Sequence, residues 1–375
     1  MEQNAAREAG VTQAMRVTVY TGSRSEYGLL LPVLRALHAD PEIDLQILIG
    51  GSHTDPRHGL TGEQVHRDGF TACVASSLWQ SLPGGSALKA QASEVGVQLV
   101  GVSEALDALQ PDWLIVYGDR AEALGAAVAA HYQRIRIAHL EAGDTCGACM
   151  PDERTRWAIT SLATLALTTN EQASRDVRAR CPGTGVVFAG LPSLDLLRTG
   201  EHTDPAVMAD RLRLDPRRPV VLVAENPIAG EDNSLTWKAA EAIGARVLRT
   251  TPNADPGNEA IAEGAMPPMT PHAYYGLLKA LAKHPGCACM AGNSSSAIKE
   301  AWYVGLPSVD VGERQRGRLR APTVVHASRD QRSIEEALRV ALDISQSGTE
   351  PWSEWNGYGD GTAGRRVVEA LKAHR

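Results

Sequence analysis

The chain has 375 residues, of which 43% are hydrophobic and 22% charged, and its formal net charge is −7. This composition is typical of globular proteins, and the length predicts two domains. The acidic balance argues against nucleic acid as a partner. The sequence has no run of about 18 apolar residues and no apolar signal-peptide core, so we expect a cytoplasmic protein without a membrane partner.

Short apolar segments alternate with helical patterns along the whole chain. In the first half we predict strands at Val17–Tyr20, Leu45–Ile49, Leu114–Tyr117, Ile135–Leu140, Leu165–Thr169 and Val186–Ala189. In the second half we predict them at Pro219–Ala224, Val247–Thr251, Cys287–Ala291, Ser308–Val311 and Thr323–His326. Strands that alternate with helices form parallel sheets covered on both faces. We therefore predict an α/β protein with two Rossmann-like, doubly wound domains, residues 1–190 and 191–360, and a cleft between them.

The sharpest local pattern is Gly292-Asn293-Ser294-Ser295-Ser296, which follows a predicted strand and opens a predicted helix. Backbone N–H groups, the helix dipole and three hydroxyls would converge on one point, which suits a diphosphate. An ordinary serine N-cap is the alternative interpretation. Glu300 lies about one turn further along, where a carboxylate can hold ribose hydroxyls or can simply be solvated.

Three arginines, Arg314, Arg316 and Arg318, lie in a glycine-bounded loop after the next predicted strand. Such a loop can clamp phosphate oxygens by bidentate hydrogen bonds. A solvated basic loop is the alternative. Arg24, in the first β–α turn, could reach the same anion from the other domain.

Five acids lie at or soon after the ends of predicted strands: Asp119, Glu141, Asp144, Asp152 and Glu153. Paired carboxylates can act as general acid and base or stabilise an oxocarbenium-like centre. Their spacing leaves open a second interpretation, in which they are solvated loop residues. Cys146 and Cys149 form a CxxC without a second cluster at zinc-finger spacing, so we expect neither a metal site nor a bound cofactor.

Ordered motifs over most of the chain resemble the hydrolysing UDP-N-acetylglucosamine 2-epimerase family, especially its sialic-acid-pathway branch. In the first half these motifs are Thr21-Gly22-Ser23-Arg24-Ser25-Glu26-Tyr27-Gly28, Gly51-Ser52-His53, Gly118-Asp119-Arg120, Glu141-Ala142-Gly143-Asp144 and Asp152-Glu153-Arg154-Thr155-Arg156. In the second half they are Pro252-Asn253-Ala254-Asp255-Pro256-Gly257, the Gly-Asn-Ser-Ser-Ser segment, Gly312–Arg318 and Tyr358-Gly359-Asp360-Gly361. The resemblance implies a GT-B-like fold in which residues 361–375 form a helix that packs back on the N-terminal domain.

The resemblance also implies roles for individual residues. Asp119, Glu141 and Asp152 match the family's catalytic acids in the N-terminal domain, which would hold the sugar. The candidates for substrate binding are Arg24, Ser294, Ser295 and Ser296 on the diphosphate, Glu300 on the ribose, and His53, Asn226, Arg314 and Arg318. The expected partners are a UDP- or GDP-sugar, with water or a small molecule as acceptor, and a second copy of the chain in a homodimer.

Three departures from the family pattern bear on the reaction. Asn226-Pro227 stands where the family has His-Pro, and asparagine can neither carry a charge nor shuttle a proton. Trp157 stands where the sialic branch has histidine. The segment Thr145–Pro151 is one residue longer than in that branch. These changes predict altered proton transfer at the sugar C2.

Two enzymatic hypotheses follow from the resemblance and its departures. In the main one, the anomeric C–O bond is cleaved and the sugar is transferred to a small acceptor, a thiol being one candidate. Such an enzyme would be a glycosyltransferase of the lincosamide-type antibiotic pathways, built on the epimerase scaffold. In the alternative, the protein is a hydrolysing UDP-N-acetylglucosamine 2-epimerase that gives N-acetylmannosamine and UDP. A non-catalytic nucleotide-sugar sensor is a third hypothesis.

Overall fold

A computed structural model describes residues 13–55, 60–75, 87–146, 150–228, 230–252, 259–348 and 355–375. The chain divides into two compact units. The first comprises Met1–Asp144, Pro151–Pro192 and Thr362–Arg375. The second comprises Thr145–Met150 and Ser193–Gly361.

The first unit contains a seven-stranded parallel sheet in the order β3-β2-β1-β4-β5-β6-β7. Its strands are β1 (Met15–Thr21), β2 (Ile43–Ile49), β3 (Ala72–Val74), β4 (Trp113–Tyr117), β5 (Arg136–Leu140), β6 (Leu165–Thr168) and β7 (Gly185–Phe188). Strands β2 and β3 lie on one side of β1, and strands β4 to β7 lie on the other side. Ligands of doubly wound folds bind beyond the carboxyl ends of the two strands where the strand order reverses, here β1 and β4.

The helices of the first unit cover both faces of this sheet. They are α1 (Arg24–Ala39), α2 (Glu63–Arg67), α3 (Ala87–Leu109), α4 (Ala121–Tyr132), α5 (Met150–Leu162) and α6 (Glu171–Arg180), with α14 (Ala363–Ala373) at the end of the chain. Helix α1 begins after Ser23, whose hydroxyl accepts a hydrogen bond from the Glu26 N–H. Its apolar residues Leu30, Leu34 and Leu37 are fully buried in the core of the unit. Spacings of three and four residues put these leucines on one face, which anchors the helix on the sheet.

The second unit contains a five-stranded parallel sheet in the order β12-β11-β10-β8-β9. Its strands are β8 (Val220–Val223), β9 (Arg246–Arg249), β10 (Ala288–Gly292), β11 (Ser308–Val311) and β12 (Val324–Ala327). Its helices are α7 (Ser193–Thr199), α8 (Pro205–Arg211), α9 (Leu235–Ala242), α10 (Glu259–Ala262), α11 (Pro271–Ala282), α12 (Ser296–Lys299) and α13 (Gln331–Ser347). The direction of the sheet changes between β8 and β10, so the segments after these two strands flank the expected ligand position.

The predicted fold class is confirmed: the chain forms two doubly wound α/β units with parallel sheets. Each of the eleven predicted strands corresponds to an observed strand within two residues at either end. The sequence analysis missed β3, which has three residues and lies at the edge of its sheet. Within the described ranges, no helix combines the length and the apolar character that crossing a bilayer requires.

Helix α14 packs against α1 within the first unit, and a glycine allows the close approach. A Cβ added at Gly364 would lie 2.7 Å from the Pro32 carbonyl oxygen and 3.1 Å from the Ala36 Cβ. The contact with Pro32 is with backbone, which cannot rotate away as a flexible side chain would. The two helices therefore have to separate if this position gains a side chain.

Gly364→Ala is expected to lower the melting temperature. Alanine gains about 1 kcal/mol of helix propensity over glycine, but overpacking typically costs about 1–3 kcal/mol, so we expect a net loss. Gly96→Ala in α3 is the matched control, because its Cβ would meet no atom within 4 Å. The control should be neutral or stabilising in a thermal melt. Equal stabilisation by both variants would contradict the packing of α14 on α1.

Candidate functional site

Two of the predicted catalytic acids share one buried guanidinium in the first unit. Asp119 follows β4, Glu141 follows β5, and Arg156 lies on α5. Arg156 donates to the Asp119 carboxylate and to the Glu141 carbonyl oxygen at 2.8 Å, and its Nη1 lies 3.6 Å from Glu141 Oε2. The Arg156 side chain is 4% exposed and that of Asp119 is 25% exposed. A fixed cation thus holds both carboxylates at the carboxyl edge of the sheet, with Asp119 partly open to solvent.

The backbone at this edge is strained at one of the acids. Glu141 has φ of 59°, in the left-handed region that a residue with a Cβ rarely adopts. Such conformations cluster at functional sites, where the surrounding structure holds them in place. The third predicted acid, Asp152, lies one turn before Arg156 on α5, and its side chain is exposed.

His53, a predicted substrate-binding residue, is 2% exposed and has hydroxyl partners on both ring nitrogens. Its Nε2 lies 3.1 Å from Thr21 Oγ1 and its Nδ1 lies 2.8 Å from Thr61 Oγ1. Burial lowers the pKa of His53 to about 4, so the ring is neutral at pH 7. These contacts connect the segments that follow β1 and β2. The observed role is to join these two segments.

Two other sequence-derived candidates differ in their surroundings. Arg24 starts α1 with an exposed side chain that makes no hydrogen bond or ion pair within the described part of the chain. Trp157 packs with the apolar cluster of Ala142, Val177 and Cys181, and its ring lies 4.4 Å below the Arg180 guanidinium. Its indole therefore belongs to this apolar cluster, while the preceding Arg156 holds the acids.

Glu26 is a buried carboxyl group that the sequence analysis did not single out. It is 3% exposed, and its Oε2 accepts a hydrogen bond from the Gly22 N–H at 3.1 Å. Its Oε1 is buried without a hydrogen-bond partner among the described residues. Burial, and secondly the charge of Glu122, raise the pKa of Glu26 to about 8, against the opposing effects of Gly22 and Arg120. Glu26 is therefore mainly protonated at pH 7.

In the second unit, the side chain of Asn293 joins the two strands at the switch point. Its Oδ1 accepts from the Asn226 N–H at 2.7 Å, and its Nδ2 donates to the Asn226 carbonyl oxygen at 2.8 Å and to Glu225 at 3.2 Å. A Cβ at the neighbouring Gly292 would lie 2.2 Å from the Ala224 carbonyl oxygen, so only glycine fits there. The side-chain amide of Asn226 forms no hydrogen bond with any residue in the described ranges.

The loop after β11 also reaches this point. Gln315 Nε2 and Arg314 Nη1 donate to the Asn293 carbonyl oxygen at 2.8 Å and 3.3 Å. Arg318 donates to Gln315 Oε1 at 2.5 Å. The structure thus brings Arg314 and Arg318 close to the start of the serine segment. Arg316 is exposed and pairs with Glu313 at the surface.

The serine segment opens a helix shorter than predicted, since α12 spans four residues and continues as a 3₁₀ turn. The Ser296 hydroxyl lies 2.5 Å from the Tyr274 hydroxyl and donates to Glu300. Glu300 is 6% exposed and also accepts from the Tyr275 hydroxyl at 3.0 Å. Ser294 and Ser295 are half-buried. Tyr274 and Tyr275 on α11, which contact Ser296 and Glu300, were not predicted as site residues from the sequence.

A buried ion pair lies next to Asn226. Glu225 is 5% exposed and accepts from Arg329 Nη1 at 2.6 Å and from Thr236 Oγ1 at 2.9 Å. Burial raises the pKa of Glu225, and Arg329 opposes this shift. All of these partners are within the second unit. Glu225 therefore ties the segment after β8 to Arg329 and Thr236.

Of the two cysteines of the CxxC motif, Cys146 lies within the described residues. The Cys146 thiol lies 2.7 Å from the Arg314 carbonyl oxygen. Cys149 and the Asn253-Ala254-Asp255-Pro256-Gly257 part of the family motif lie outside the described residues. Within the residues that are described, no group of three or more His, Cys, Asp or Glu side chains is placed to hold a metal ion.

Both units are doubly wound α/β structures with polar side chains gathered at the switch point, the class of protein that binds ligands beyond the carboxyl ends of its strands. The chain belongs to the UDP-N-acetylglucosamine 2-epimerase family, whose model matches residues 35–372. This confirms the family that the sequence motifs resemble. The glycosyltransferase of an antibiotic pathway, which was the main hypothesis from the sequence, is not supported by these comparisons.

Several relatives cover between 91% and 96% of the chain. A UDP-N,N'-diacetylbacillosamine 2-epimerase (hydrolyzing) of Legionella pneumophila is 29% identical over 95% of each chain. A UDP-N-acetylglucosamine 2-epimerase of Neisseria meningitidis is 28% identical over 95% of this chain and 94% of its own. Among solved structures, a UDP-GlcNAc 2-epimerase from Neisseria meningitidis bound to UDP-GlcNAc matches with a TM-score of 0.75 and 17% identity, over 96% of this chain and all of the other.

Glu26→Gln is expected to change how stability depends on pH. The pKa of Glu26 is about 8 in the folded state and near 4.5 when it is unperturbed. Between these values the folded state keeps a proton that the unfolded state loses, so the free energy of unfolding falls as pH rises and levels off above pH 8. Each pKa unit is worth about 1.4 kcal/mol, so the total effect is on the order of a few kcal/mol.

Glutamine keeps the shape of Glu26 and cannot ionise. The melting temperature of Glu26→Gln, relative to the unchanged protein, should therefore rise between pH 5 and pH 8.5. Glu104→Gln, at an exposed position on α3, is the control and should show a constant difference. Parallel melting curves for Glu26→Gln across this pH range would show that Glu26 is ionised in the folded protein.

Proposed function

We propose that this protein is a hydrolysing 2-epimerase of a UDP-activated 2-acetamido sugar. The observation that carries the proposal is the cluster of Asp119, Arg156 and Glu141 at the carboxyl edge of the first sheet, in a member of the 2-epimerase family. Two relatives that span nearly the whole chain are 2-epimerases, and the one from Legionella is hydrolysing. UDP is favoured over GDP because both of these relatives act on UDP-sugars.

The reaction is an elimination followed by an addition. A base removes the proton from C2 while the C1–O bond breaks. The electron pair of the C1–O bond leaves with UDP, and the electron pair of the C2–H bond forms the C1–C2 double bond. The resulting glycal-type intermediate accepts a proton at C2 on the opposite face, and the oxygen of water bonds to C1 as the water molecule gives one proton to a carboxylate. Carboxylates can carry these proton transfers, each of which is worth about 10²–10⁴ in rate. We propose that the carboxylates of Asp119, Glu141 and Asp152 together provide the acids and bases.

We assign nucleotide binding to the second unit. Ser294 and Ser295, with Arg314 and Arg318, are proposed to bind the diphosphate, and Glu300 to accept hydrogen bonds from the ribose. The two hydroxyls on Glu300, from Ser296 and Tyr275, fix its carboxylate in one orientation. Arg24 is proposed as a further phosphate ligand because its guanidinium is exposed. The homodimer stays a prediction.

Transfer of the sugar to a small acceptor was the main hypothesis from the sequence, and it now has less support than epimerisation. It rested on the loss of two imidazoles and on the longer segment Thr145–Pro151. One of the two imidazole positions, Trp157, packs in an apolar cluster, so its identity has little direct bearing on the acids. Asn226 keeps its bearing on the reaction, and the longer segment lies partly outside the described residues. Transfer is therefore an outcome that the following experiment distinguishes.

The purified full-length protein should be incubated in deuterated water with UDP-N-acetylglucosamine or with UDP-N,N'-diacetylbacillosamine, without an acceptor. We expect free UDP and a 2-epimeric sugar that carries one deuterium at C2, detected by mass spectrometry. Free UDP with an unlabelled sugar would contradict proton transfer at C2. Consumption of the substrate only after addition of a thiol or hydroxyl acceptor would establish the transferase.

Asp119→Asn and Glu141→Gln should each lower the rate of UDP release by about 10²–10⁴ because each removes a candidate proton-transfer group and keeps its shape. The matched controls are Asp107→Asn and Glu104→Gln, which neutralise exposed carboxylates on α3. These controls should leave the rate unchanged. A full rate in either site variant would remove that carboxylate from the mechanism.

Asn226→His should raise the rate of UDP release about tenfold below pH 6.5. The family has an imidazole at this position, and its protonated form can stabilise the charge of a leaving diphosphate. Asn226→Gln keeps an amide and is the control, which should show no gain. A rate that is unchanged in Asn226→His at every pH would mean that the leaving group is stabilised without this position.

A further inference from the structure

His139 is a fully buried histidine on β5, two residues before Glu141. Its Nε2 lies 2.7 Å from the Gly118 carbonyl oxygen, and its Nδ1 lies 3.0 Å from Thr160 Oγ1. Gly118 directly precedes Asp119, and Thr160 follows Arg156 by one turn of α5. Nε2 therefore contacts the residue that precedes Asp119, and Nδ1 contacts a residue one helical turn from Arg156.

The protonation of the ring follows from its partners. A carbonyl oxygen can only accept, so Nε2 carries the hydrogen. Burial lowers the pKa of His139 to about 3; the nearby Arg156 adds to this shift, and Gly118 and Asp119 oppose it. The ring is therefore neutral at pH 7, and Nδ1 is an acceptor. The Thr160 hydroxyl has one hydrogen, which it can donate either to this nitrogen or to the Arg156 carbonyl oxygen at 2.8 Å.

These contacts connect the ring to the surroundings of the Asp119–Arg156 ion pair. Nε2 donates to the carbonyl oxygen of Gly118, which precedes Asp119, and Nδ1 contacts Thr160, which lies one turn of α5 after Arg156. The peptide group between Gly118 and Asp119 has its carbonyl fixed by the imidazole. The direction in which Asp119 leaves the backbone is therefore set by His139.

We infer that His139 is a positioning residue for the proposed reaction: it fixes the orientation of Asp119 through the Gly118 carbonyl oxygen and takes no part in proton transfer itself. The inference rests on the proposed function only in naming which reaction is affected. The ring is 0% exposed and both of its nitrogens are engaged, so any effect on the sugar is transmitted through Asp119 or Arg156. An apolar residue of similar size would leave the Gly118 carbonyl oxygen without this donor.

Two amide substitutions separate the two contacts. In His139→Gln, the longer side chain places an N–H near the position of Nε2 and keeps the bond to Gly118. In His139→Asn, the shorter side chain places its amide near Nδ1 and keeps only the bond to Thr160. A displacement of about 1 Å at a reacting group can cost about 10² in rate. We expect kcat within about threefold of normal for His139→Gln and a loss of about 10–100-fold for His139→Asn, with KM within twofold in both.

The pH profile provides a readout that packing alone would not change. Because His139 stays neutral, the pH dependence of kcat should have the same limbs in His139→Gln as in the unchanged protein. Loss of a limb would show that His139 exchanges protons during the reaction and would overturn the inference. It would also be overturned if His139→Asn kept full kcat, or if both variants lost kcat equally.

A measurement on the unchanged protein covers the case in which the variants do not fold. NMR of protein labelled with ¹⁵N-histidine should show His139 as a neutral ring with its hydrogen on Nε2 from pH 5 to pH 8. A ring that titrates in this range, or that carries its hydrogen on Nδ1, would refute the inference. Failure of the proposed function is distinguished separately, since the unchanged protein would then release no UDP from either substrate.

Discussion

The buried guanidinium of Arg156 is the interaction on which the first unit's site depends. An unpaired charge in a protein interior is very costly, and removing one partner of a buried pair typically costs about 3–5 kcal/mol. Asp119, the Glu141 carboxylate and the Glu141 carbonyl oxygen therefore stabilise Arg156 in place. The same contacts explain how Glu141 can keep a left-handed backbone. One cation thus links β4, β5 and α5 at the edge where substrate is expected.

In the second unit, an uncharged side-chain amide, that of Asn293, joins the strands at the switch point. The amide of Asn293 has both donors and acceptors, so it can satisfy an N–H, a carbonyl oxygen and a carboxylate at the same time. It holds Asn226 and Glu225 at the end of β8. The Asn293 backbone carbonyl oxygen also accepts a hydrogen bond from the Gln315 side chain in the loop after β11. The hub itself adds no net charge, and the Arg314 guanidinium donates to its backbone carbonyl oxygen. A cation beside an uncharged hub suits the diphosphate that we propose for this unit, whereas the proposed proton transfers belong to carboxylates of the other unit.

The sequence predicted the strands and the positions of the polar clusters because apolar β-branched runs and glycine-rich turns are local signals. It did not predict β3, whose three residues are too short for a pattern. It could not show that His53 is enclosed by Thr21 and Thr61, or that Trp157 packs beneath Arg180, because these contacts join segments far apart in sequence or depend on which face of a helix a side chain occupies. Gly-Asn-Ser was noted for its serines, whereas its asparagine makes the contacts that join the strands.

Three buried titratable groups around the first switch point, Glu26, His53 and His139, are predominantly neutral at pH 7 because burial penalises their charged forms. The histidines therefore have no charge to gain or lose near neutrality. In the proposed reaction the carboxylates of Asp119, Glu141 and Asp152 carry the proton transfers, so no imidazole is needed to move the C2 proton. We therefore expect the replacement of the family histidine by Asn226 to affect the departure of the diphosphate more than the inversion at C2. For that reason the loss of the imidazole is compatible with an epimerase.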